Sequence, residues 1–302
     1  MASLFGNSVI IHIVRTDNSM KTTTNYLILN QACADIVITL TQLINMCHYS
    51  YLDSLWFGGP LGVITCKICL GAISIPLGAS IWILVMIAFD RFYAVTRPLR
   101  SSPLSRHLKK AVFLLWLWCL ASSVNVLVNG DLEKINQSYY CHLGSVLTGW
   151  TAFNITDLTL NFFLPLLILP VLYTIVSVKL WSRDIPGEGT NQNQRQAEAM
   201  KTARKVTRMM IVTVALFAVC WLPFFVIVML QLFGLVKISS VSLLVFITWL
   251  AISYSGLNPY IYFVFNQKFR FGFKKLIGNF LRKIRILNFF TERSQSVELQ
   301  QM

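Results

Sequence analysis

The sequence predicts an all-α protein: a bundle of seven membrane-crossing helices followed by a short amphipathic eighth helix. Three observations predict it. Of the 302 residues, 55% are hydrophobic and 13% charged, whereas an ordinary soluble domain carries about 25% charged residues; the mean hydropathy is +0.62. Apolar residues gather in runs near 1–14, 24–50, 62–93, 108–128, 152–181, 203–233 and 239–264, and all but the first reach the ~20 residues that cross a hydrocarbon core. The connections between the runs alternate in charge.

The first run, Met1 to Val14, falls short of a full span, and about ten more residues before Met1 would complete it. A truncated first helix and an incomplete N-terminus are therefore expected. The run lacks the basic start and small-residue cleavage site of a signal peptide. The connections after the first, third, fifth and seventh runs are basic. They carry Arg15 and Lys21; Arg97, Arg100, Arg106, Lys109 and Lys110; Arg183, Arg195, Lys201, Arg204, Lys205 and Arg208; then Lys268, Arg270, Lys274, Lys275, Arg282, Lys283 and Arg285. The connections after the second, fourth and sixth hold Asp53, then Asp131, Glu133 and Lys134, then Lys237. The positive-inside rule makes the basic set cytoplasmic, and strict alternation requires the first run to be a span despite its length. Residues 1–265 are thus read as the helical domain, N-terminus outside, and 266–302 as an amphipathic helix and cytoplasmic tail. Ser182 to Lys201, with Pro186, Gly187 and Gly189, reads as a loop. From Asn266 to Phe280, Phe269, Phe271, Phe273, Leu276, Ile277 and Phe280 alternate with Lys and Arg, as in a helix lying on a membrane surface.

Several function classes are set aside. A net charge of +14 invites a nucleic-acid partner, but the basic residues lie between apolar runs without interleaved aromatic platforms, and a membrane-facing basic side fits better. Cys66-x2-Cys69 has no second pair and no clustered histidine, so no metal is expected. No Ser/His/Asp set, carboxylate dyad or phosphate-cradling loop indicates an enzyme. A transporter or channel predicts inverted repeats and paired midplane charges, and neither is found.

Ionisable groups inside apolar helices are costly and demand a reason. Asp35 reads either as a hydrogen-bond hub between helices or as a cation site or switch. Asp90-Arg91 ends the third run and reads, taken alone, as an interfacial ion pair snorkelling to water. Asp157 lies in the fifth run. Pro223 removes a helical hydrogen bond and bends the sixth run, with Phe217 and Trp221 stacked on either side of Cys220. Core packing around a proline kink explains these residues as well as a hinge does.

Gly6-Asn7, Asn30 to Asp35, Asp90-Arg91-Phe92, Phe217-x-x-Cys220-Trp221-x-Pro223 and Asn258-Pro259-x-x-Tyr262 occur in order, with Pro165 and Tyr173 eight apart in the fifth run. In these motifs the chain resembles the rhodopsin-like G-protein-coupled receptors, from residue 6 to about residue 280. The resemblance implies a receptor that activates a heterotrimeric G protein, with Asp90, Arg91, Tyr173, Phe217, Trp221, Pro223, Asn258, Pro259 and Tyr262 as coupling and switch residues. Phe92 stands where tyrosine is usual. Asp35, Ser80, Ser255 and Asn258 match the family's sodium pocket, implying an allosteric sodium ion and no other cofactor; Tyr254 stands where many members carry asparagine. Cys66 and Arg91 are separated by roughly 37 Å of helix, which puts Cys66 at the outer face. An oxidising location there permits a Cys66–Cys141 disulfide, and the resemblance implies that bond. Arrestin, receptor kinases and membrane lipid follow as implied partners, with Thr291, Ser294 and Ser296 as phosphorylation candidates and the plasma membrane as the location.

Ile73 stands where amine receptors place an aspartate, and Ile252 at the retinal-linking position. Met20 to Tyr26, Trp56-Phe57-Gly58 and Leu180 to Gly187 resemble neuropeptide receptors of the tachykinin, neuropeptide Y and RFamide group, implying an extracellular peptide ligand. Gln42, Asn45, Asp157, Phe224, Phe225, Gln231 and Thr248 are the pocket candidates. Asp157 as an internal hydrogen-bond partner, and Phe224 and Phe225 as core packing, stand beside that reading. Asn136 and Asn154 are glycosylation sequons. The alternatives are a receptor for a non-peptide small molecule or lipid, and a non-signalling truncated or decoy receptor.

Overall fold

The computed structural model describes residues 1–51, 56–97, 100–135, 138–143, 148–183, 191–236, 241–278 and 282. A backbone in hydrocarbon must satisfy its own hydrogen bonds, and the apolar runs accordingly form helices. In chain order these are α1 (Ala2–Thr16), α2 (Thr23–Tyr51), α3 (Gly59–Thr96), α4 (Pro103–Arg106), α5 (Leu108–Ser122), α6 (Val124–Asn129), α7 (Thr148–Leu158), α8 (Leu164–Trp181), α9 (Asn191–Leu232) and α10 (Val241–Phe265). Residues 267–278 are also helical (α11). Among the described residues, Thr23–Asn45, Gly59–Thr96, Phe153–Trp181 and Gln192–Leu232 are long and apolar enough to cross a membrane.

The structure departs from the sequence reading in four places. The fourth run is not one helix: it breaks at Ser123, between α5 and α6, where the Ser122 hydroxyl donates to the Cys119 carbonyl. Serine side chains compete with the helical ladder in this way. The fifth run contains a π segment, Thr159–Phe163, between α7 and α8. Ser182 to Lys201 is not all loop, because α9 already begins at Asn191. The Gln, Arg, Ala, Glu, Met and Lys of that stretch are good helix formers, and low hydrophobicity hid them. Finally, Gly130–Ile135 (β1) pairs antiparallel with Ser138–Leu143 (β2), Leu132 opposite Cys141. A two-stranded ribbon this short has a weak sequence signal.

The hairpin lies over one end of the bundle, tied down by the Cys66–Cys141 disulfide. The Trp56 N–H donates to the Tyr139 carbonyl at 2.6 Å, and the Trp56 indole donates to the Gly62 carbonyl at 3.0 Å. Arg91 marks the opposite end of α3. There Asp17 accepts from the Ser19 N–H, which holds its carboxyl below the usual range. α1 meets α10 at Gly6, where a Cβ would stand 2.8 Å from Pro259 Cβ. Pro259 has no N–H to give the Ser255 carbonyl, so Asn7 Nδ2 and Ser3 Oγ donate to it instead, at 3.0 and 3.1 Å. The proline in α10 thus explains Gly6-Asn7 in α1: one residue lets the helices touch, the next supplies the missing donor. On α11, Phe269 is buried beside Tyr262 and Phe273 stacks on Phe263, while Lys268, Arg270, Lys274 and Lys275 are exposed.

Candidate functional site

A polar chain runs through the bundle interior. Asp35 is fully buried. Ser255 Oγ donates to its Oδ1 at 2.9 Å and Asn258 Nδ2 to its Oδ2 at 3.0 Å. Thr39 Oγ1 donates to the Asp35 carbonyl and lies 2.7 Å from Ser3 Oγ. Asp35 is therefore a hub joining α1, α2 and α10. The buried Ser80 Oγ, Asn258 Oδ1 and Tyr254 hydroxyl have no hydrogen-bond partner. The Asp35 carboxylate and the Asn258 side-chain oxygen beside it are oxygen ligands of the kind a hard cation takes. Tyr254 is buried edge-on to Phe217, centroids 5.1 Å apart.

Next along the chain are three tyrosine hydroxyls. Tyr173 and Tyr262 are buried; the Tyr173 hydroxyl, like that of Tyr254, is unpartnered, the Tyr262 hydroxyl lies against the Asn258 side chain, and Tyr173 lies within electrostatic reach of Arg91. Arg91 Nη2 donates to Asp90 Oδ2 and to Thr24 Oγ1, both at 2.6 Å, and Thr24 itself donates to Asp90 at 3.1 Å. The Asp90–Arg91 pair is more than an interfacial pair, because α2 holds it through Thr24. Arg91 opens on a cleft of about 340 Å³, whose lining includes Thr24, Asn25, Lys201, Lys205, Met209 and Lys268. The neighbouring end of α9 is fastened to α8 by Arg204, which donates to the Leu180 and Arg183 carbonyls at 3.1 and 2.8 Å.

Toward the hairpin end, the aromatics of the sixth run stack as expected. Phe217 and Trp221 lie 6.3 Å apart and nearly parallel. Phe225 packs on Trp221 at 5.7 Å and on Phe162 at 3.9 Å; Phe224 meets both Trp221 and Phe225 edge-on. Phe224 and Phe225 thus have the packing role the sequence left open. Gln42, Asn45 and Thr248 are half-buried and Gln231 is exposed.

Asp157 has an internal partner. Its Oδ1 accepts from Asn161 Nδ2 at 2.5 Å. Asn161 Oδ1 in turn accepts from the indoles of Trp82 in α3 and Trp118 in α5, at 3.1 and 2.8 Å. The pair faces α3 and α5. Asn154 Oδ1 accepts from Asn125, which turns that sequon amide toward α6; Asn136, Thr291, Ser294 and Ser296 lie outside the described residues. Sequence reasoning gave no site role to Thr24, Asn161, Trp82, Trp118 or Arg204; Thr24 figured only within Met20 to Tyr26 and Arg204 only among the basic residues of a connection. Of these, only Asn161 carried a signal: an amide one helical turn beyond a carboxylate in an apolar run.

Residues 6–262 match the family model described as 7 transmembrane receptor (rhodopsin family). The chain is 30% identical over 293 residues to the Tachykinin-like peptides receptor 86C of Drosophila melanogaster, covering 91% of this chain and 56% of the relative. It is 31% identical over 283 residues to the Tachykinin-like peptides receptor 99D of the same organism, covering 89% and 53%. With the Substance-P receptor of Rattus norvegicus it shares 31% over 281 residues, covering 91% and 67%. The chain thus spans about half the length of the two fly relatives.

Proposed function

The chain belongs to the rhodopsin family of seven-transmembrane receptors, and from that premise we propose that it is a plasma-membrane receptor for a peptide, activating a heterotrimeric G protein when the peptide binds. The coupling half of this reading is carried by Arg91: a guanidinium clamped by Asp90 and Thr24 at the edge of an open cleft, within electrostatic reach of an unpartnered tyrosine hydroxyl. Such an arrangement has two states. In one, Arg91 is held by Asp90 and Thr24. In the other, the α9 end moves off α8, and Arg91 turns to Tyr173 and to the partner protein. A ligand that binds the second state better shifts the population toward it.

The peptide half is supported by the relatives, which are receptors for tachykinin-like peptides and substance P. Peptide contact at the hairpin end would press on Phe224 and Phe225, and through them on Trp221 and Phe217. Pro223 lies within α9, and its missing N–H makes the helix pliable there. Gln42, Asn45, Gln231 and Thr248 remain the proposed polar contacts. Asp157 is left out of the pocket because Asn161 engages it. A sodium ion held by Asp35, Ser80 and Asn258 would favour the clamped state. Arrestin and receptor kinases are the proposed partners of the tail.

The test is to express the chain in cells and measure surface delivery and G-protein activation against a library of amidated neuropeptides. We expect a tachykinin-like peptide to activate, and Arg91→Ala to abolish activation without lowering surface delivery. A chain that reaches the surface, answers no peptide and couples to no G protein would instead be a non-signalling member.

A further inference from the structure

Beside the Arg91 cleft lies a second basic cavity that the receptor reading does not use. It has a volume of about 540 Å³ and is lined by Tyr93, Arg100, Ser101, Pro103, Arg106 and His107. Two guanidiniums, two hydroxyls and an imidazole line it, and no carboxylate does. Residues 97–110 contain five Lys and Arg and no Asp or Glu. Among the described residues none of these cations pairs with a carboxylate. Arg97 is stacked over the Tyr93 ring at 5.5 Å, which keeps that ring at the cavity wall.

The neighbouring surface identifies the ligand class. Immediately along the chain, Leu108, Lys109, Val112 and Phe113 join Tyr26 and Asn30 around a cavity of about 420 Å³. Its walls are largely apolar, and Phe113 is 68% exposed. In a membrane-crossing chain that surface faces acyl chains. The basic cavity therefore lies at the first turn of α5, where the helix passes from headgroups into hydrocarbon. Uncompensated cations at that level attract anionic lipid, and arginine grips phosphate through paired N–H groups.

We infer that Arg100, Arg106 and His107, with the hydroxyls of Tyr93 and Ser101, form a binding site for the phosphate headgroup of an anionic membrane phospholipid. The site needs only that α5 crosses a membrane; it stands whether or not the proposed peptide and G protein are correct. A bound headgroup would neutralise the segment between α3 and α5, close to the helix end that carries Arg91.

The test titrates phosphatidylinositol 4,5-bisphosphate and phosphatidylcholine onto the purified full chain in detergent, with bound lipid read by native mass spectrometry. Neutralising two cations in Arg100→Gln/Arg106→Gln should weaken phosphoinositide binding about thirtyfold. Arg100→Lys/Arg106→Lys should retain most of it. Arg270→Gln/Lys274→Gln removes equal charge from exposed positions of α11 and should change binding less than about threefold. The inference is overturned if the α11 control loses as much as the cavity variant, which would mean diffuse attraction. It is also overturned if phosphatidylcholine binds equally well. Displacement by soluble inositol trisphosphate as effective as by the intact lipid would assign the site to a soluble anion and sink the lipid reading.

Discussion

Arg91 donates to two acceptors, and only Asp90 adjoins it in sequence; Thr24 is 67 positions away. That separation explains what could be read in advance. A charged pair written side by side in an apolar run is visible in the chain, whereas a threonine on another helix becomes a clamp only after α2 packs on α3. The clamp predicts a gain of function. Thr24→Val keeps the shape and removes the hydroxyl, and a net hydrogen bond to a charged group is worth at least about 1 kcal/mol. Ligand-free nucleotide exchange on the G protein should therefore rise roughly fivefold in Thr24→Val membranes, while Thr24→Ser should behave as the parent. Asp157 shows the converse limit. The carboxylate was conspicuous and its two readings were chemically equal, because the partner's direction depends on a π segment that no periodicity announces.

At the scale of helices, the seven apolar runs were legible because length and charge alternation are set by the bilayer, which is the same for every chain. The break at Ser123, the π segment and the early start of α9 were not, since each is decided by local hydrogen bonding inside or beyond the apolar stretch. Two contacts between helices carry predictions. Asn161 joins α3, α5 and the π segment through both indoles. Asn161→Ala leaves two indole N–H groups and the Asp157 carboxylate without it, so the detergent-solubilised protein should lose about 1–3 kcal/mol. Trp118→Phe, which deletes one bond and leaves the acceptor its other indole, should cost less; equal thermal shifts in the two variants would show that Asn161 is not the node. Gly6 is the second contact. Any larger residue there meets Pro259 at 2.8 Å, and Gly6→Val should lower the melting temperature by the equivalent of roughly 1–3 kcal/mol. Gly278→Val, where a Cβ meets nothing within 4 Å, is the control.

For the molecule as a whole, two arguments that share no residue predict the orientation in the membrane. Among the described residues, the Arg91 end carries Arg15, Lys21, Arg91, Arg97, Arg100, Arg106, Lys109, Lys110, Lys179, Arg183, Arg195, Lys201, Arg204, Lys205, Arg208, Lys268, Arg270, Lys274, Lys275 and Arg282, against Asp17, Asp90 and Glu198. The hairpin end carries Lys67 and Lys134 against Asp131 and Glu133. Positive charge is retained on the cytoplasmic side, so the Arg91 end should face the cytoplasm. The Cys66–Cys141 bond is at the hairpin end, and disulfides persist in oxidising compartments and not in a glutathione-reduced cytosol. Charge alone could be outvoted by one strongly oriented helix; a disulfide alone says nothing of the other end. Together they predict one arrangement: hairpin out, α11 in. An epitope fused after Met302 should therefore stain only permeabilised cells. In intact cells, a membrane-impermeant maleimide should label Cys66 and Cys141 only after an impermeant reductant. Staining of the C-terminal epitope on intact cells would reverse the topology. It would also leave a disulfide in the cytosol and those cations on the outer face, so both arguments would have to fail at once.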